Sequence, residues 1–196
     1  MQTNLIRSIE FHSAHNDFKK IPQNSSMPQV AFCGRSNAGK SSLINAIVGR
    51  KDLVKVSATP GKTRSINLFL LNKRTFLVDL PGFGYAKASN SVRDYLIEAV
   101  NGYLNETDTL HTLFILCDGS RPLPDDEFAM IETAYKNQIN PILVRTKVDK
   151  LNQKEKDQLK QENKDLLVEY SHLTIILSSI KSNLGILEIQ KIITDI

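Results

Sequence analysis

Gln29-Val30-Ala31-Phe32-Cys33-Gly34-Arg35-Ser36-Asn37-Ala38-Gly39-Lys40-Ser41-Ser42-Leu43-Ile44-Asn45-Ala46-Ile47-Val48-Gly49 is the stretch whose reading decides the fold. Gln29–Cys33 is a short apolar run that predicts a buried strand, and the residues from about Gly39 to Val48 predict a helix stopped by Gly49. Between them, Gly34 to Ser41 fits G-x-x-x-x-G-K-[ST] at every fixed position. Glycines let a backbone wrap an anion, and successive N–H groups with the start of the following helix point at phosphate oxygens. Lys40 adds a cation for the terminal phosphates, and the Ser41 hydroxyl is a hard oxygen ligand for Mg2+. A strand, an anion-wrapping loop and a helix in this order predict a nucleotide-binding α/β domain.

Outward from this unit, apolar runs alternate with helical patterns. Ile66–Leu71 and Thr75–Asp79 are separated only by Asn72-Lys73-Arg74, too short for a crossover helix, so the two strands are expected to be antiparallel neighbours. Val92, Tyr95, Leu96, Ala99, Val100, Tyr103 and Leu104 recur at helical spacing. Strands are expected at 113–118, 141–145 and 173–177, with helices at about 126–136, 152–167 and 186–196. This alternation predicts a doubly wound, mostly parallel sheet of six or seven strands with one antiparallel edge pair and helices on both faces. Residues 1–28 read as an N-terminal arm and connection packed on the core, and 29–196 as the nucleotide-binding domain.

The chain has 196 residues, 41% of them hydrophobic, which suits one domain with a sizeable core. The two cysteines, Cys33 and Cys117, lie inside apolar runs, which argues against a disulfide framework or a zinc site. No apolar stretch approaches the ~20 residues needed to span a bilayer, and Met1–Ser8 lacks the pattern of a secretory signal. The expectation is a cytoplasmic monomer without a membrane partner. A net charge of +4 permits a polyanionic partner such as RNA without requiring one.

The base is read elsewhere in the chain. Thr146-Lys147-Val148-Asp149 closes a predicted strand and fits [NT]-K-x-D. Asp149 can accept two hydrogen bonds from guanine's N1–H and exocyclic amine, whereas adenine would leave that carboxylate poorly satisfied. The Lys147 stem can lie along the base. Ser178-Ser179-Ile180, after the last strand, occupies the place of a loop whose backbone N–H meets the guanine oxygen. Asp79-Leu80-Pro81-Gly82 ends the strand Thr75–Asp79. Asp79 suits an indirect contact to Mg2+ and the Gly82 N–H suits the γ-phosphate. In Thr59-Pro60-Gly61-Lys62-Thr63-Arg64-Ser65, Thr63 rather than Thr59 is expected to ligate Mg2+, since it lies just before the strand starting at Ile66. Gly61, Lys62, Arg64 and Ser65 join the expected nucleotide contacts.

Together these segments resemble the EngB/YsxC/YihA family of bacterial ribosome-assembly GTPases, within the Ras-like P-loop GTPases. The stretches that carry the resemblance are Val30–Asn45, Thr59–Thr63 and Asp79-Leu80-Pro81-Gly82-Phe83-Gly84-Tyr85-Ala86-Lys87. Val148 stands where the family usually has Ala, and Ser120-Arg121-Pro122 where it often reads Arg-His-Pro. The resemblance implies binding of GTP and GDP with Mg2+, a switch role in maturing the large ribosomal subunit through contact with the particle or its rRNA, and a role in cell division and septation. Two rivals are weighed against it: a P-loop ATPase or small-molecule kinase, and a nucleotide-dependent division scaffold without RNA contact.

Rate and activation also leave a trace. Many GTPases place a water-orienting glutamine after the D-x-x-G glycine. Here Phe83 holds that position, so slow intrinsic hydrolysis is expected. Arg35 and Arg64 are read as solvated rather than as in-line cations. Asn37, three residues before Lys40, is read either as a K+ ligand that stands in for an arginine finger or as a residue shaping the loop through its own hydrogen bonds.

Overall fold

The computed structural model describes residues 5–21, 26–54, 65–83 and 90–196. The strands are β1 (Ile9–His15), β2 (Gln29–Gly34), β3 (Ile66–Leu71), β4 (Thr75–Asp79), β5 (Leu110–Asp118), β6 (Asn140–Thr146) and β7 (Thr174–Leu177). The helices are α1 (Lys40–Val48), α2 (Asn90–Glu106), α3 (Asp125–Lys136), α4 (Gln153–Glu169) and α5 (Ile186–Thr194). One sheet runs in the order β1-β3-β4-β2-β5-β6-β7. Only β3 is reversed, antiparallel to both β4 and β1, while the β4-β2-β5-β6-β7 neighbours are parallel.

The side-chain period of two sorts each central strand between two cores. Ala31 and Cys33 of β2, Leu113, Ile115 and Cys117 of β5, and Leu143 of β6 face α2, α3 and α4 through Val100, Tyr103, Met130, Ile131 and Leu166. Val30, Phe32, Phe114, Leu116, Ile142 and Val144 face α1 and α5 through Leu43, Ile44, Ile47, Ile189 and Ile193. Burial on both faces explains why these strands read as continuous apolar runs. Phe32 and Phe114 stack at 4.6 Å between ring centroids.

The arm contributes more than a connection. Ile9–His15 forms the edge strand β1 along β3, with a register shift between Phe11 and Ser13. The turn residue Asn72 anchors it: its side-chain oxygen accepts from the N–H groups of Arg7 and Ser8, and its amide donates to the Leu5 carbonyl. Further on, the Phe18 ring packs over Gly102 of α2, where a Cβ would lie 2.3 Å from the ring.

Element ends follow local chemistry. Gly49 takes a left-handed φ of 66° and closes α1. Asn152 and Glu155 form a reciprocal capping box at the start of α4, a cap of about 1 kcal/mol. No helix among the described residues is long and apolar enough to cross a membrane.

Arg145 is fully buried in β6. Its guanidinium meets Glu162 of α4 at 3.0 Å and donates to the Asn163 side chain at 3.2 Å, and Glu162 also accepts the Leu123 N–H at 2.6 Å. This cluster joins α4 and the β5–α3 connection to the sheet. Glu162→Ala is expected to destabilise the fold by about 3 kcal/mol, the low end for breaking a buried pair because Glu162 reaches solvent. An unchanged midpoint of urea unfolding would contradict this role.

Candidate functional site: the carboxyl ends of the central strands

The candidate site lies where β2, β4, β5, β6 and β7 end, the edge at which open α/β sheets hold ligands. Gly34 begins the loop under tight constraint. Its φ is 154°, and a Cβ there would lie 2.7 Å from the Leu116 carbonyl oxygen of β5. Only glycine lets β2 pass β5 this closely and still turn. Asn37 and Gly39 follow with φ of 76° and 88°, so the loop alternates handedness in the way that aims consecutive N–H groups into one concavity. Ser36 and Ala38 complete the loop, and Lys40 and Ser41 open α1.

The Lys40 ammonium is buried and bonds directly to the wholly buried Asp79 carboxylate. The other Asp79 oxygen accepts from the Asn67 side chain at 3.3 Å, and Asn67 in turn accepts from the Ser65 hydroxyl. After β4, Leu80 and Pro81 are buried and Gly82 passes close to the loop, its would-be Cβ 3.4 Å from the Ser36 hydroxyl oxygen. Phe83 seals this approach: its N–H donates to the Gly34 carbonyl and its carbonyl accepts the Ser36 N–H at 2.9 Å. The Phe83 ring is fully buried in the core facing α2 and α3.

The end of β6 is stitched to the same loop. The Thr146 hydroxyl donates to the Ala38 carbonyl at 2.7 Å, and the Lys147 ammonium donates to the Asn37 carbonyl at 2.6 Å. Lys147 has a φ of 59°, and its stem passes Gly39 with 3.7 Å between Cε and the Cβ position of the glycine. Its ammonium also meets Asp118 at 2.9 Å. Burial pushes the Asp118 carboxyl up, but bonds from Lys147 and Ser120 outweigh it and hold the group below its ordinary range. Val148 is buried beneath, and Asp149 is exposed.

A hydrogen bond from the Ser179 side chain holds the Asp149 carboxyl below its usual range, so it stays ionised at neutral pH. The Ser178 and Ser179 N–H groups are committed to the carbonyls of Arg145 and Leu184. Ile180 is exposed beside them.

The structure therefore gathers the loop 34–41, Ser65, 79–82, 146–149 and 178–180 at one edge. Thr59, Gly61, Lys62, Thr63 and Arg64 lie outside the described residues, as do Gly84 to Lys87. One expectation is corrected. The Arg35 side chain is not simply solvated but pairs with Asp126 of α3 at 2.8 Å, with Glu127 at 3.7 Å. Nothing local signals this pairing, because α3 lies 91 residues away in the chain. The cysteines are inert: burial pushes the Cys117 thiol up to about 11 and Cys33 higher still.

The donor set fits Mg2+ chemically. Ser41, next to Lys40 in the chain, and Asp79, bonded to it, offer hard oxygens, the ligand type that this ion takes alongside phosphates and waters. Among the described residues no group of three or more His, Cys, Asp or Glu side chains could hold a metal ion by itself.

Comparison with known proteins agrees with this geometry. A family model described as 50S ribosome-binding GTPase matches residues 29–147. A probable GTP-binding protein EngB of Leptospira biflexa is 47% identical over 137 residues, 70% of this chain, and the chain spans only 64% of that relative's length. A protein of the same description from Caldanaerobacter subterraneus is 36% identical over 191 residues, covering 97% of both chains. The crystal structure of a probable GTP-binding protein engB superposes with a TM-score of 0.69 over 85% of this chain and 97% of that one, at 21% identity, a likeness of fold. The sequence relatives and the family model together carry the conclusion that the chain belongs to the EngB family of GTP-binding proteins.

Proposed function

We propose that the chain binds GTP with Mg2+, hydrolyses it slowly to GDP and phosphate, and uses its nucleotide state to control docking on the large ribosomal subunit or its rRNA during assembly, as a cytoplasmic monomer. The observation that carries this reading is the attachment of Thr146 and Lys147 to the Ala38 and Asn37 carbonyls. It supports a reading in which the Asp149 carboxylate reads the base at the rim of a phosphate-wrapping loop. The family model's description as a 50S ribosome-binding GTPase supports the choice of partner.

In this reading the N–H groups from Arg35 to Ser41 and the start of α1 hold the α- and β-phosphates. Lys40 leaves Asp79 for the β- and γ-phosphates, which offer it more negative charge than one carboxylate. Ser41 and Thr63 would hold the ion, and Asp79 would act on it indirectly. Mg2+ supplies neutralisation of the charge that gathers on the β–γ bridge. The Gly82 N–H meets the γ-phosphate. Water attacks the γ-phosphorus, the bond to the bridging oxygen breaks, and GDP and phosphate leave. Phe83, turned into the core, offers that water no hydrogen bond, and Arg35 is occupied by Asp126. Asn37 would help hold the K+ that supplies the remaining positive charge. Its side chain is exposed at the loop apex and, among the described residues, makes no hydrogen bond of its own, so it is available to hold K+ beside the phosphates.

Co-sedimentation tests the whole reading. The chain loaded with a non-hydrolysable GTP analogue is expected to pellet with large ribosomal subunits, and the GDP form to remain largely in the supernatant. Equal behaviour of the two forms would sink the switch, and release of both with retention on division proteins would favour the scaffold reading.

Asp149→Asn is expected to weaken GTP binding and favour xanthosine triphosphate, whose C2 oxygen suits an amide donor. The loss for GTP should reach about tenfold or more, since a charge-assisted hydrogen bond is replaced by a mismatched one. Retained GTP preference in competition binding would remove Asp149 from the site.

Replacing Na+ by K+ at fixed ionic strength is expected to raise single-turnover hydrolysis, and Asn37→Ala to remove the increment. Equal rates in both salts, with and without ribosomal particles, would leave Asn37 a structural residue.

A further inference from the structure

Glu127 is the one acidic side chain of α3 that is fully buried, and neither of its carboxylate oxygens has a hydrogen-bond partner among the described residues. It lines a cavity of about 120 Å³ together with residues 35–38 of the phosphate loop. The Arg35 Nε, also buried and without a hydrogen bond, stands 3.7 Å from it. A buried carboxylate in this state is costly unless charge nearby compensates it. Among the described residues the first compensating charge is the guanidinium that extends from the loop itself, with Arg145 a weaker second.

We propose that Glu127 is a positioning residue of the phosphate loop, acting through Arg35, and that it takes up a proton when nucleotide phosphates enter the loop. The inference rests on the nucleotide-binding reading given above. The groups that face Glu127 set the sign. Arg35 from the loop and Arg145 from β6 favour the ionised form, while Asp126 beside it on α3 disfavours it; Arg121, Asp118 and Lys147 line the same cavity, the last two paired with each other. Cys33 of β2 and Cys117 of β5 stay protonated and add no charge. Burial pushes the carboxyl up to about 7, against the pull of Arg35, so the group is divided between its two forms near neutrality.

The phosphates bring several negative charges to the other side of the same loop. They raise the potential cost of an ionised Glu127 and move its titration further upward. The proton-bound fraction therefore increases on binding, and affinity rises as pH falls through neutrality. With Glu127 neutral, Arg35 keeps its pairing with Asp126, and the guanidinium's positive field is no longer cancelled by a second acid. The loop then presents more net positive charge to the anion.

Calorimetric titration of GDP into the full chain, in buffers of different ionisation heat, reads this directly. Wild type at pH 7 is expected to take up a fraction of a proton more than Glu127→Gln, with a limit of about one half because the group is half protonated beforehand. Between pH 8 and pH 6 its GDP affinity should rise by about fivefold relative to the variant, the effect of a one-unit upward shift. Protons taken up by GDP itself are common to both and cancel. Glu127→Asp, which keeps a titratable carboxyl, should restore the uptake, a result that a purely packing role would not produce. Equal proton counts in wild type and Glu127→Gln, with GDP bound by both, would overturn the inference alone. No GDP binding by wild type would overturn the proposed function and this inference with it.

Discussion

Two hydrogen bonds from the end of β6 to the carbonyls of Ala38 and Asn37 are the constraint on which the rest of the site depends. A loop that points its N–H groups inward must turn its carbonyls outward, and those carbonyls need donors. Thr146 and Lys147 supply them from a segment 110 residues further along the chain. The same contacts that satisfy the loop's backbone also carry Asp149 to its rim. The shape of the loop and the position of Asp149 thus share one set of bonds.

The sheet makes this possible through close passage. With β5 between them, β2 and β6 can meet across its end only if the β2 turn rises tightly against β5, which the contact between Gly34 and the Leu116 carbonyl permits. Beneath, the alternation of Val30 and Phe32 against Ala31 and Cys33 fixes the register in two packed cores. A shift by one residue would exchange the two faces. The rigidity of the strand ends is therefore inherited from side chains far from any phosphate.

The parts legible in sequence are those where a local pattern carries the physics. The loop 34–41, the β3–β4 hairpin, the closure of α1 at Gly49 and the strand runs into 146–149 needed no tertiary knowledge. Strand β1 escaped because only Ile9 of its seven residues is buried. Arg145 closes the strand expected at 141–145, and nothing in its neighbourhood in sequence announces the pairing with Glu162 and Asn163 of α4 that its complete burial needs. The pairing of Arg35 with α3 and the isolation of Glu127 are likewise products of packing, without a spacing rule to reveal them. Thr63 remains an expectation from position alone, as it lies outside the described residues.

The two borders of the sheet bear on how copies of this chain behave toward one another. A long, regular border is a template on which a foreign strand can add by backbone bonds. Here β7 offers only four residues. The other border, β1, is longer and carries the exposed Phe11, but the register shift between Phe11 and Ser13 interrupts the even spacing of donors and acceptors that an incoming strand would have to match. On the rim that carries this aromatic, the obstacle to an added strand is therefore a local irregularity of the backbone.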